Sequence, residues 1–125
     1  MPVEPGLTGH VELEVADADT AVAFRSGDVA VLSTPRIVAL CEEAAVAAVA
    51  GAFEPGQTTV SMRIQLDHLA PTAVGGKVTA DARLVVVEGR RLKFSVSVND
   101  ERGLIAAGKV TRVVVDREHF LDKTR

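Results

Sequence analysis

The chain has 125 residues with 47% hydrophobic and 25% charged positions, enough for one domain with a real core. The net charge of −3, four Phe, no Trp and no Tyr leave neither the basic footprint nor the stacking platforms of a nucleic-acid binder. Cys41 is the only cysteine, so no intrachain disulfide can form, and a lone helix cysteine reads as a small core residue rather than a nucleophile.

The opening MPVEPGLTGH lacks the basic and apolar regions of a signal peptide. The longest uncharged apolar run, 44–53, is far short of the roughly 20 residues a membrane span needs. A cytoplasmic protein without membrane association is the expectation. Val11, Leu13 and Val15 alternate with Glu12 and Glu14, the pattern of a half-buried strand. Residues 16–31 have weak periodicity and read as a loop or short helix, a connection long enough to act as a lid or binding loop.

A helix is predicted over 34–52. Ser33 or Thr34 caps its start, Pro35 suits the first helical position, and Gly51 and Pro55 close it. At about 100° per residue, Ile37, Leu40, Cys41, Ala44 and Ala48 share one apolar stripe. Glu43 falls on the polar side near Arg36, whereas Glu42 falls at the edge of the stripe, close to Val38, Ala45 and Val49. Glu42 is then either a boundary residue whose head reaches water or a carboxylate held at a functional site.

Four strands follow. In 59–69, Val60, Met62, Ile64, Leu66 and His68 are expected on one face, with Ser61, Arg63, Gln65 and Asp67 on the other. In 77–87, Val78, Ala80, Ala82, Leu84 and Val86 are expected inward. Glu88-Gly89 resembles a tight two-residue turn into 91–99, where Leu92, Phe94, Val96 and Val98 alternate. NDERG turns the chain into a last strand, 104–116. One strand, one long helix and four strands with short turns describe an α+β chain with an antiparallel sheet curved round the helix. Long apolar edge strands invite pairing with a second copy, so a dimer is expected.

Few residues stand out chemically. His68 ends an apolar face just before a loop, and is either a hydrogen-bonded core histidine or a site residue. His10 and His119 read as surface residues. Arg112, flanked by Val110 and Val114 on one face of the last strand, faces outward or else needs an anion: Glu42, a ligand, or a second subunit. Thr34 is either a cap or a hydroxyl at a helix N-terminus that could orient a carbonyl oxygen. There is no HxxxH, CxxC, GxGxxG or P-loop, so neither a metal site nor a phosphate cradle is expected.

Taken in order, LSTPRIVALCEEAA, LDHLAPT, VEGRRLKFSV and TRVVVDREHF resemble the hotdog-fold thioesterases of the fluoroacetyl-CoA thioesterase type, over roughly residues 30–120. The resemblance implies a single hotdog domain over 1–125 and a homodimer or tetramer, with acyl-CoA hydrolysed at the subunit interface without metal or cofactor. It implies Thr34, Glu42 and His68 as catalytic residues, with Glu42 as base or nucleophile, His68 moving or stabilising a proton, and Thr34 orienting the carbonyl. Arg112 and Ser61 would line the site, and Arg36, Lys77, Arg90 and Arg91 are candidate cations for the CoA phosphates. The chain departs from the family pattern in a shorter stretch before the helix with only Phe24 as a ring, in Ser61 where the family places a glycine, and in aliphatic lining. A short or medium acyl group is expected. Two other readings remain: a non-catalytic acyl-CoA or small-ligand binding protein on the same fold, and a hotdog hydratase, whose Asp and His spacing is absent. Thiol release or water addition to an enoyl-CoA separates them.

Overall fold

The computed structural model describes residues 3–125. Its strands are β1 (Thr8–Glu14), β2 (Gln57–His68), β3 (Lys77–Glu88), β4 (Arg91–Asp100) and β5 (Gly103–Asp116). Its helices are α1 (Ala21–Phe24), preceded by a 3-10 turn at Asp17–Asp19, then the long α2 (Thr34–Ala48) and α3 (Arg117–Asp122). The strands form one antiparallel sheet in the order β1-β3-β4-β5-β2, and α2 packs on one face of it. This is the α+β arrangement anticipated from the chain order.

Helix α2 forms where the cap and the apolar period agree. The Ser33 hydroxyl accepts from the Arg36 amide at 3.1 Å, and Pro35 sits in the first turn. The buried stripe is Ile37, Leu40, Cys41, Ala44, Ala45 and Ala48. It meets Val78, Ala80, Ala82 and Leu84 of β3, and Leu92, Phe94, Val96 and Val98 of β4, in one core. The helix stops at Ala48 rather than 52. Ala50 and Ala52 donate to Ala47 and Val49, three residues back, and Gly51 adopts φ +80°.

The small residues of α2 have a packing reason. Gly9 of β1 lies so close that a Cβ there would meet the backbone of Ala44 and Ala48. Backbone cannot rotate aside, so Gly9→Ala is expected to cost about 1–3 kcal/mol. Urea denaturation checks this as a lower midpoint with an unchanged slope.

Two β-bulges overturn parts of the simple alternation. In β3 the register shifts between Leu84 and Val86, so Val86 is exposed rather than inward, and Val87 takes the place opposite Leu92. In β2 the shift lies between Ser61 and Arg63. Met62 is the extra residue and stands 50% exposed. Ser61 and Thr59 pair with Arg112 and Val114, so they, not Val60 and Met62, share the helix-side face. Past the bulge Ile64, Leu66 and His68 continue that face as expected, opposite Val110, Gly108 and Ala106. The β3–β4 turn is Gly89-Arg90, one residue later than Glu88-Gly89, because Glu88 pairs with Arg91. Gly89 takes φ +60°, which suits the first central position of a primed turn.

Candidate active site

Thr34 opens α2 and His68 closes β2, and the fold brings these two ends together. Thr34 Oγ1 and His68 Nδ1 lie 2.7 Å apart, a hydrogen bond between residues 34 positions apart. Beyond His68 the amides of Leu69 and Ala70 both donate to the Ile105 carbonyl, at 2.7 and 3.3 Å, which turns the chain away from the sheet. The other ring nitrogen, Nε2, is buried and has no hydrogen-bond partner among the described residues. A buried polar atom left unpaired is costly, so such an atom marks a place where something else binds.

Glu42 lies at the second cluster. Its Oε2 accepts from Arg112 Nη1 at 3.0 Å, with 29% of the glutamate side chain exposed and 9% of the arginine. Arg112 also donates through Nε to Thr59 Oγ1 at 2.9 Å and through Nη2 to the Thr59 carbonyl at 3.0 Å. Burial pushes the guanidinium below its ordinary range, and the Glu42 carboxylate opposes that shift. Three bonds fix the guanidinium, and the guanidinium in turn aims the carboxylate. Glu43, its neighbour in sequence, is exposed. The helix period thus separates the adjacent acids into one held and one solvated.

Cys41 is fully buried beside them. Burial first, and the Glu42 charge second, push its thiol up to about 11. Native Cys41 is therefore expected to resist aromatic disulfide reagents at neutral pH and to react at once in denaturant. Thiol titration with and without urea checks this.

Eight residues of helix separate Thr34 from Glu42, a rise of about 12 Å. One chain therefore presents a Thr34–His68 pair and a Glu42–Arg112–Thr59 cluster, at opposite ends of β2, and does not join them. Ser61 stands opposite Arg112 on the second cluster's side of β2. Arg36 is engaged elsewhere, with Nε 3.0 Å from Asp19 Oδ1. Arg90 lines a cleft of about 460 Å³ with Phe53, Leu92 and Val114, beyond the Arg112 end. Arg91 alternates with the buried Leu92 and faces the opposite side of the sheet. Lys77 begins β3 against Glu14 of the edge strand β1, away from both clusters. Phe24 is exposed on α1. His10 and His119 are exposed, as expected. The sequence reading missed Thr59 and Asp19. A strand threonine carries no distinguishing signal, but a cation in the first turn of a helix that lacks acids there did ask for a partner for Arg36.

A model of the family described as fluoroacetyl-CoA-specific thioesterase matches residues 15–118, which hold α2 and β2 to β5. The chain belongs to that family. It is 40% identical over 95 residues to the fluoroacetyl-CoA thioesterase of Streptantibioticus cattleyicolor, an alignment covering 76% of this chain and 68% of that protein. Its backbone matches a solved structure of the fluoroacetyl-CoA thioesterase FlK with a TM-score of 0.94 at 31% identity, covering 100% of this chain and 97% of that one. A hot-dog-like protein from Thermanaerovibrio acidaminovorans matches with a TM-score of 0.89 at 27% identity, over 96% of this chain and 89% of its own. The five-stranded sheet and central helix are accordingly a hotdog fold, and the chain is an enzyme of the thioesterase class. Among the described residues no helix is long and apolar enough to cross a membrane.

Proposed function

We propose that the chain hydrolyses short or medium acyl-CoA thioesters at a site completed by a second copy of itself. The observation that carries this reading is the buried, unpaired Nε2 of His68, on the same edge strand as the Glu42 cluster but at its far end. A two-fold axis at Ile64, midway along β2 once the bulge is discounted, pairs the free edges antiparallel and sets Thr59 of one copy beside His68 of the other. The helix-side faces stay continuous across such a pair. Glu42 of one copy then approaches the Thr34–His68 pair of its partner, and each dimer holds two sites.

The chemistry follows from these groups. Glu42 delivers an oxygen to the thioester carbonyl, directly or through a water it deprotonates. Thr34, at the N-terminus of α2, holds the carbonyl oxygen as it gains charge. His68 hands a proton to the departing CoA sulfur. Overall one water is consumed, the acyl–sulfur bond breaks, and a carboxylate and free CoA thiol leave. Arg112 keeps the Glu42 carboxylate aimed. Arg90, on the helix-side face beyond Arg112, is the best-placed cation for the CoA phosphates.

The test is free-thiol release from a series of acyl-CoAs, acetyl to dodecanoyl, with Glu42→Gln and His68→Ala beside the wild type. Turnover that both substitutions remove supports the reading. Tight binding of CoA esters with no thiol released from any of them would make the chain a binding protein instead.

A further inference from the structure

The first turn of α2 carries Arg36 and no acidic residue. A cation there is repelled by the partial positive charge of the helix N-terminus. The missing anion comes from outside the helix. Asp19, at the end of the 3-10 turn and with 13% of its side chain exposed, accepts from Arg36 Nε at 3.0 Å. Its second carboxylate oxygen accepts from the Ala16 amide at 2.8 Å, which fixes the carboxylate itself. Its carbonyl accepts from the Ser33 amide at 2.9 Å. The Ser33 hydroxyl closes the circuit by accepting from the Arg36 amide.

Thr34 lies inside this circuit, between Ser33 and Arg36, and both are tied to Asp19. On the other side, Leu32 bridges to Thr20 and donates to the Thr72 carbonyl at 2.8 Å, in the loop that follows His68. The Ser33 amide is thereby held by the main-chain carbonyl of Asp19 and the Arg36 side chain by its carboxylate, fifteen residues before Thr34. The Thr34 hydroxyl itself has His68 Nδ1 as its partner.

We infer that Asp19 is a positioning residue: its carboxylate, fixed by the Ala16 amide and bonded to Arg36, holds the first turn of α2 so that the Thr34 hydroxyl meets His68. The inference rests on Thr34 and His68 acting in catalysis, as proposed above. It also gives Arg36 a different task from the phosphate contact expected of it, because the guanidinium is turned to Asp19.

Steady-state kinetics on the best CoA ester, well below the melting temperature of each variant, separates the two tasks. Asp19→Ala and Arg36→Ala should each lower kcat, by up to about a hundredfold, since a shift of 1 Å in a reacting group can cost that much. KM should stay within about twofold, as binding of the CoA ester is untouched. The double variant should be no slower than the slower single, because both break one circuit. Asp19→Asn keeps an acceptor for the Ala16 amide, loses the charge, and should fall between. An unchanged kcat in Asp19→Ala and Asp19→Asn overturns the inference. So does Arg36→Ala with a raised, salt-sensitive KM and an intact kcat, which would make Arg36 a phosphate contact. A wild type that releases no thiol from any CoA ester overturns the thioesterase reading and this inference with it.

Discussion

Mixing Glu42→Gln protomers with His68→Ala protomers should restore about a quarter of wild-type turnover, although each variant alone falls by about three orders of magnitude. Random exchange makes half of the dimers mixed. In a mixed dimer one site pairs an intact Glu42 with an intact Thr34–His68 pair, and the other site carries both lesions. If all three groups acted within one chain, every site in the mixture would lack one of them and no activity would return. Refolding the two variants together, then assaying thiol release, reads the difference directly. The expectation comes from the separation of the two clusters along α2 and β2, with Thr34 bonded to His68 at one end and Arg112 to Glu42 at the other.

The Glu42–Arg112 pair should also show an asymmetry in stability. Glu42→Ala leaves a guanidinium that is 9% exposed without its counter-ion. Breaking a buried pair from one side costs about 3–5 kcal/mol, and the low end applies here because Thr59 still accepts two of the guanidinium's bonds. Arg112→Met removes the buried cation itself and leaves a carboxylate that is already 29% exposed and can turn to water. That change should cost about 1–2 kcal/mol, mostly the lost bonds at Thr59. Urea denaturation of the two variants orders them, and an equal loss would show that Glu42 is as sequestered as Arg112. Glu42→Gln, which can still accept from Arg112, is the variant for kinetics.

The helix, the inward face of β4 and that of β3 as far as Leu84 were legible because periodicity is a local property. Ile37, Leu40, Cys41, Ala44 and Ala48 repeat at helical spacing whatever surrounds them, and all five are buried. The bulges were not legible, because an extra residue exists only relative to the partner strand. Val60 and Met62 keep a perfect alternation with Ile64, yet pairing with β5 puts Thr59 and Ser61 on the helix-side face instead. Glu42 could be separated from Glu43 by helix geometry alone. The roles of Thr34 and His68 came from resemblance, and their bond spans elements whose meeting no local pattern encodes. Asp19 sat in a stretch with no period at all, and its importance depends on Arg36, 17 residues away.

The bulge at Met62 changes what a length change means in this strand. A β-strand has two settings, set by whether the count of residues is odd or even. Met62 resets that count halfway along β2, so one strand offers a hydroxyl to a buried cation at one end and an imidazole to a helix N-terminus at the other. Substituting the exposed Met62 side chain alters little of this. Deleting it would make Ser61 and Arg63 neighbours, opposite Arg112 and Thr111 as they already are, so Thr59 and His68 would both keep their faces, whereas a deletion on either side of residue 62 would turn one end of the strand over.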